Sequence, residues 1–466
     1  MSAVSAFAAV DLGATSGRVM IGRVHDDRVE LEPVSRFPNG PVERADGLHW
    51  DFGALFENVV EGLAEAVRRE PGIRSIGIDS WAVDYGLLRD GELVAEPFHY
   101  RDARTGRGVD EVHEIIPFDQ LYRRNGLQFL PFNTLYQYRI DGHIVQADAA
   151  LLISDLIAFL LTGRRVAERT NASTTGLLDV HTSEWDLELA ERLGIPVGVL
   201  PELVDPGTVI GTLSPELAQR IGAELPVIAV GSHDTASAVV AAPLSSPHSA
   251  YISCGTWGLV GLELPGPVVT DAAREANFTN ELGVDGRIRF LHNVTGLWLL
   301  SETVRAWEQE DGEAIDLPEL LAQAADTGGE TPLFDANDPS LSAPGGMPAR
   351  IAALRGADAP TSRAAFARSI VESIAQAFAD AVRTASELSG REIDSIHLVG
   401  GGSLNRLLCQ ATADRTGLPV LAGPVEATAL GNVLIQARAA GDAPATLERL
   451  REIVTASQEP VRFEPR

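Results

Sequence analysis

The chain has 466 residues, of which 45% are hydrophobic and 22% charged, and its formal net charge is −28. That length allows two or three domains, and the acidity argues against nucleic acid or an anionic membrane as partner, because both require basic surface. The sequence contains no lysine, so all 37 basic residues are arginine; a GxxxxGK[ST] phosphate loop, a protein-kinase strand lysine and a Schiff-base lysine are excluded.

The opening stretch MSAVSAFAAVD has no basic segment and does not read as a signal peptide. No run approaches the ~18 apolar residues of a membrane helix. Two cysteines, Cys254 and Cys409, make neither a disulfide framework nor a CxxC metal site and suit a reducing cytoplasm.

In chain order, strands are expected at 6–11, 17–24 and 28–37, followed by a helix capped by Asp51 whose apolar residues Leu55, Phe56, Val59, Val60, Leu63 and Val67 recur at helical spacing. Strands follow at 75–79 and 82–89, with an Asp90-Gly91 turn. Helices dominate 110–163, and 226–231 is a short buried strand running into Ser232-His233-Asp234-Thr235 and an Ala/Val-rich helix. The opening pattern then returns: a strand at 250–254, a tight loop Gly255-Thr256-Trp257-Gly258 and a strand at 259–264. This predicts an α/β chain with an internal duplication of period near 240 residues, Asp11 of the first copy standing where Ser253 stands in the second. The stretch 311–350 reads as loop with a short helix, and 361–388 as one amphipathic helix ended by Gly390. A strand at 396–399 leads through Gly400-Gly401-Gly402 to a helix from about Asn405.

Asp11 ends an apolar strand, and Gly13, Ala14, Thr15, Ser16, Gly17 and Arg18 follow it. Small residues let backbone N–H groups converge on an anion, hydroxyls add donors and an arginine fork suits phosphate oxygens. An aspartate repels phosphate but holds Mg²⁺ through water. Acid, nest and arginine together read as a metal–nucleotide site; the plainer reading is a glycine-rich hairpin. The second copy around Thr256 strengthens the first, because two such loops facing one another across a cleft would clamp ATP. Gly400-Gly401-Gly402 is a strand–helix turn that also permits close ligand approach.

Asp234 is open to two readings. As a helix N-cap it would be structural; as an ionised carboxylate at a helix start it would accept a hydroxyl proton as that oxygen attacks phosphorus. His233 and Thr235 would then bind the sugar. Asp79-Ser80-Trp81-Ala82-Val83-Asp84 is either a polyol platform under Trp81 or a buried tryptophan corner. A glycosidase reading of the carboxylates leaves both phosphate loops unexplained.

The segments VDLGATSGR, SWAVDYGLL, GLQFLPFNTLYQ, GSHDTASAV, SCGTWGLVG, NVTGLWLLSE, VGGGSLNRLL and GPVEATALGN occur in order over nearly the whole chain. Together they resemble the FGGY carbohydrate kinases of the actin-like, ribonuclease-H-like ATPase superfamily, on their rhamnulose branch. The resemblance implies two duplicated ribonuclease-H-like domains, 1–245 with the sugar site and catalytic base and 246–466 with the nucleotide site, about a central cleft. It implies transfer of the ATP γ-phosphate to the 1-hydroxyl of L-rhamnulose in rhamnose breakdown, in the cytoplasm. Asp234 matches the catalytic base. Ala14, Thr15, Ser16, Gly17, Arg18, Thr256, Ser301 and Gly401 match nucleotide positions. Ala82, His233, Asp234, Thr235 and Asn293 match sugar positions, and Asp11 matches the acid near the Mg²⁺. Ala82 replaces a glycine common in the family and Ser301 replaces a glutamine, while the lysine many relatives carry near FLPFNTLYQ is missing. The rival expectations are kinases of fuculose, xylulose or glycerol, and an actin-like nucleotide-binding protein without sugar turnover. The partners expected are a ketose and ATP; nothing in the sequence indicates an oligomeric state.

Overall fold

The computed structural model describes residues 4–244, 246–328 and 331–466. They form two compact units: Met1–Pro243 with Glu263–Phe290 and Ala427–Ser457, and Leu244–Leu262 with Leu291–Glu426 and Gln458–Arg466. The boundary expected at 245 falls on a residue outside the described ones. The first unit also takes in two later stretches of chain. One is the helix Ala427–Ala439, whose Gln436 Nε2 donates to the Ala8 carbonyl at 3.0 Å and whose Oε1 accepts from Ser75 Oγ at 2.7 Å.

The sheet of the first unit has the order Val209–Thr212, Pro226–Ile228, Ile73–Ser80, Ser5–Leu12, Ser16–Val24, Val29–Pro38. Pro226–Ile228, Ile73–Ser80 and Ser5–Leu12 run parallel; Val209–Thr212 and Ser16–Val24 are antiparallel to them, and Val29–Pro38, antiparallel to Ser16–Val24, runs with them again. Every residue of Ser5–Leu12 is buried, as a strand covered on both faces requires. The helix Phe52–Arg69 starts where expected, with the Asp51 side chain accepting from Ala54 N–H.

In a second sheet, neighbouring strands run Ile288–Thr295, Trp257–Leu264, Ser249–Cys254, Ser395–Val399, Val420–Ala422, Val461–Phe463. Ser249–Cys254 is antiparallel to Trp257–Leu264 and parallel to Ser395–Val399, which is parallel to Val420–Ala422. The hairpin followed by two parallel neighbours repeats the first unit, so the duplication is one of strand order and direction. The first glycine after each loop is tightly packed, by a strand in one copy and by the long helix in the other. A Cβ on Gly17 would overlap the Phe37 ring, and a Cβ on Gly258 would overlap the Phe378 ring.

Two local expectations change. The strand expected over 82–89 begins only at Tyr85, because Val83 has φ 69°, a left-handed backbone that a β-branched residue rarely adopts and no strand continues through. The stretch 311–350 holds the helix Leu317–Asp326, and a second, Met347–Arg355, begins near its end. The long helix spans Arg363–Ser389 and ends at Gly390 with φ 68°, the left-handed cap that glycine favours. Among the described residues no helix is long and apolar enough to cross a membrane.

Candidate active site

Pairing of the parallel strands places Asp11 opposite Asp79 and Leu12 opposite Ser80. Trp81 N–H then donates to the Leu12 carbonyl at 3.0 Å, and Ser80 N–H to the Ser232 carbonyl at 2.9 Å. Asp11, Asp79, Ala82 and His233-Asp234-Thr235 therefore gather at the carboxyl ends of three adjacent parallel strands, the edge at which open α/β sheets bind ligands.

The first hairpin loop is residues 13–16, since Leu12 pairs with Gly17. Gly13 N–H donates to the Ser16 carbonyl at 3.0 Å, while Asn39 braces the loop through Nδ2 to Gly13 O at 2.8 Å and N–H to Thr15 O at 3.1 Å. Thr15 is exposed, and Ala14 and Ser16 are half-buried. Arg18 Nε lies 3.0 Å from Asp11 Oδ2. The nest is thus a preformed loop with its cation tied to the buried acid.

Asp234 is the first residue of the helix Asp234–Ala241, and the cap position is His233, in extended backbone. The carboxylate is not the cap. Its Oδ1 accepts from Thr235 Oγ1 at 3.1 Å and lies 3.4 Å from His233 Nε2, and the side chain is 32% exposed against 8% for His233. Below it, buried Glu168 accepts from Ser232 N–H at 2.9 Å, Ser232 Oγ at 2.8 Å and Thr170 Oγ1 at 2.5 Å. Burial pushes the Glu168 carboxyl up and these hydrogen bonds oppose it. On its other side His233 meets a buried ion pair. Nδ1 is 3.0 Å from Arg289 Nη2 and 3.3 Å from Glu281 Oε2, and Arg289 Nη1 is 3.1 Å from Glu281 Oε2. Burial alone would raise the Glu281 carboxyl, but the Arg289 charge and His233 outweigh it and leave it below the ordinary range.

Asp79 is wholly buried, with Oδ2 accepting from Asn432 Nδ2 at 2.6 Å and Oδ1 without a hydrogen-bond partner. Burial, then the Asp11 charge, pushes its carboxyl well above the usual range. Trp81 is 6% exposed, lies 4.1 Å from the Trp50 ring and donates Nε1–H to Asp84 at 3.1 Å. It is the buried tryptophan corner, not a polyol platform. Asp84 Oδ2 also accepts from Trp50 Nε1 at 2.7 Å and Tyr100 N–H at 3.1 Å, which locks the strained Val83 turn and so the half-buried Ala82.

In the second unit the loop at Gly255 and Thr256 is braced by the start of the helix Trp298–Asp311. Leu297 N–H donates to Gly255 O at 3.1 Å and Trp298 N–H to Thr256 O at 3.1 Å. Ser301 is exposed in the first turn of that helix. Gly400, with φ 84°, has room for no side chain, since a Cβ would sit 2.9 Å from the Cys254 carbonyl; exposed Gly401 opens the turn Gly401–Leu404. Thr256, Ser301 and Gly401 therefore surround the end of one strand, Ser249–Cys254. Asn293 is half-buried on Ile288–Thr295.

Sequence reasoning did not single out Asp79, Glu168, Glu281 or Arg289 for the roles their geometry suggests. Asp79 had a signal, since SIGID ends an apolar strand in an acid just as FAAVD does. The others had none, being isolated acids and an arginine whose meeting depends on tertiary packing.

Each unit carries a strand-end loop of the same design, and the first also holds a part-exposed carboxylate at its sheet edge, groups suited to phosphoryl transfer. The chain belongs to the FGGY family of carbohydrate kinases: residues 6–241 match the family's N-terminal domain and residues 250–440 its C-terminal domain. It is accordingly an ATP-dependent carbohydrate kinase. It is 38% identical to a Bacteroides thetaiotaomicron protein named rhamnulokinase, covering 97% of this chain and 94% of that protein. It is 40% identical to the rhamnulokinase of Klebsiella pneumoniae strain 342, covering 98% of this chain and 94% of that one. Among solved structures it is similar to a ligand-bound xylulose kinase from Lactobacillus acidophilus, with TM-score 0.80, 20% identity and 99% and 94% of the two chains covered. It is also similar to Plasmodium falciparum glycerol kinase with ADP, with TM-score 0.78, 17% identity and 99% and 94% covered. At these identities the structures speak for the fold alone.

Proposed function

We propose that the chain transfers the γ-phosphate of ATP to the 1-hydroxyl of L-rhamnulose, giving L-rhamnulose 1-phosphate and ADP, with Asp234 as general base. The observation that carries the reading is the state of Asp234: it opens a helix yet is not the cap, and it stands a third exposed beside His233 at the carboxyl edge of the sheet. A carboxylate there is placed to accept the hydroxyl proton as the oxygen attacks phosphorus. The name of the relatives at 38% and 40% identity supports rhamnulose as the sugar.

His233, Thr235, Ala82 and Asn293 contact the sugar in this reading, and His233 and Thr235 also hold Asp234. The backbone of Ala14 to Gly17, the Thr15 and Ser16 hydroxyls and Arg18 bind phosphate oxygens, as do Thr256 and its loop. Ser301 and Gly401 contact the rest of the nucleotide. Asp11 and Asp79 fit Mg²⁺: they are hard oxygen donors set side by side, one with a buried oxygen that has no hydrogen-bond partner. Two carboxylates suit an ion that keeps several waters and takes phosphate oxygens for the rest. When bound, Mg²⁺ neutralises phosphate charge.

The test is an ADP-release assay over L-rhamnulose, L-fuculose, D-xylulose and glycerol. Release that depends on L-rhamnulose, with kcat/KM at least about tenfold above the others, or about 1.4 kcal/mol of transition-state preference, is expected. A higher value for another acceptor reassigns the substrate. Sugar-independent hydrolysis removes the kinase reading of the site.

A further inference from the structure

Arg289 has no exposed side-chain surface and Glu281 has 7%, and both lie against His233. A hydrophobic pair of similar volume would commonly be as stable as a buried ion pair, so the question is what these charges do there. A guanidinium has only donors. Two groups face His233 Nδ1, Arg289 Nη2 at 3.0 Å and Glu281 Oε2 at 3.3 Å; the donor is the nearer, and the Glu281 oxygen lies closer to Arg289 Nη1, at 3.1 Å, so Nδ1 presents its lone pair to the guanidinium. The imidazole proton then sits on Nε2, the nitrogen 3.4 Å from Asp234 Oδ1. Arg289 is itself fixed: Nε and Nη2 each donate to the Leu282 carbonyl at 3.1 Å. Glu281, 3.1 Å from Nη1, compensates its charge.

We infer that the buried Glu281–Arg289 pair sets the tautomer of His233, placing the ring proton on Nε2 so that it donates toward Asp234 and the bound acceptor. Glu281 and Arg289 are positioning residues for the transfer. An Nε2–H donor holds the Asp234 carboxylate in place through Oδ1, with its other oxygen left for the incoming hydroxyl. The opposite tautomer would put a lone pair against that carboxylate. This rests on the roles of His233 and Asp234 proposed above.

The test begins with the unaltered protein. Nitrogen NMR of ¹⁵N-histidine-labelled enzyme, with the His233 signals assigned by their loss in His233→Gln, should show a bare Nδ1 and a protonated Nε2 at neutral pH. A protonated Nδ1, alone or in an imidazolium, overturns the inference, and this readout needs no variant at Arg289 to fold. Arg289→Met should then lower kcat about tenfold to a hundredfold, as misplaced catalytic groups do, leave the ATP Kd unchanged and mix the His233 tautomers. Arg289→Lys should restore a single tautomer and most of the rate. A folded Arg289→Met protein with full kcat also overturns it. Failure of the underlying reading looks different: His233→Ala would keep full sugar affinity and turnover, whatever the tautomer found in the unaltered protein.

Discussion

Asp11 and Asp79 stand in direct register on neighbouring parallel strands, two carboxylates at one edge of one sheet. Arg18, 3.0 Å from Asp11, compensates one charge. Asp79 has only an amide on one oxygen, and burial with the Asp11 charge drives its carboxyl well above the usual range. Such a pair stores repulsion that a divalent cation relieves. Asp11→Asn should raise the Mg²⁺ concentration for half-maximal activity about tenfold to a hundredfold, the effect of losing a group that orients a metal's ligands. An unchanged Mg²⁺ titration at saturating ATP removes Asp11 from the ion's surroundings.

Asp234→Ala removes the group assigned to accept the hydroxyl proton while the phosphate loops stay intact. The expected loss is about 10² to 10⁴ in kcat, or roughly 3 to 5 kcal/mol of barrier. Equilibrium binding of ATP should change little. Turnover at the original rate would take Asp234 out of the mechanism, and a parallel loss of ATP affinity would point to collapse of the loop around it.

How far the sequence foretold this site follows from where each signal is written. Asp11, Thr15, Arg18, Thr256 and Gly401 lie in short contiguous motifs, because one strand-to-loop turn makes each cradle. The repeat of strand, loop and strand was legible for the same reason. What escaped is assembled across long separations. His233 and Arg289 meet only through tertiary packing, and Asn432 reaches Asp79 from a helix 353 residues away. The linear chain also hid the Val83 turn. Alternating apolar residues suggested a strand, whereas hydrogen bonds to Asp84 impose a left-handed residue that no local propensity favours.

Two glycines packed against phenylalanine rings give a stability prediction. Gly17→Ala drives a methyl into the Phe37 ring and Gly258→Ala drives one into Phe378, neither with room to spare. Overpacking of this kind costs about 1–3 kcal/mol, so both variants should melt lower than the parent. Gly53 lies in the helix Phe52–Arg69 with nothing within 4 Å of its would-be Cβ. Gly53→Ala should raise the melting temperature, through roughly 0.4–1 kcal/mol of lost unfolded-chain entropy. Equal effects at the three sites would contradict the packing described.

Asp84 supplies a pH dependence. It is wholly buried, and burial raises its carboxyl to about 6 against the hydrogen bonds from Trp50, Gln137, Trp81 and Tyr100. In the unfolded chain it titrates near the ordinary value of ~3.9. The folded state thus binds the proton more tightly, and the favourable contribution is full below pH ~4 and lost as pH rises through about 6. A shift of about two units is worth roughly 3 kcal/mol across that window. Asp84→Asn cannot titrate. It introduces a clash between its amide and Gln137 Nε2, which is 3.2 Å from Oδ1, and that cost does not vary with pH. The unfolding free energy of the parent minus that of Asp84→Asn, measured by urea titration from pH 4 to pH 7, should therefore fall by about 3 kcal/mol, levelling off above pH ~6. A difference that stays flat, or rises, means Asp84 keeps an ordinary carboxylate affinity for its proton. The four hydrogen bonds around it would then stabilise the charge more than burial opposes it.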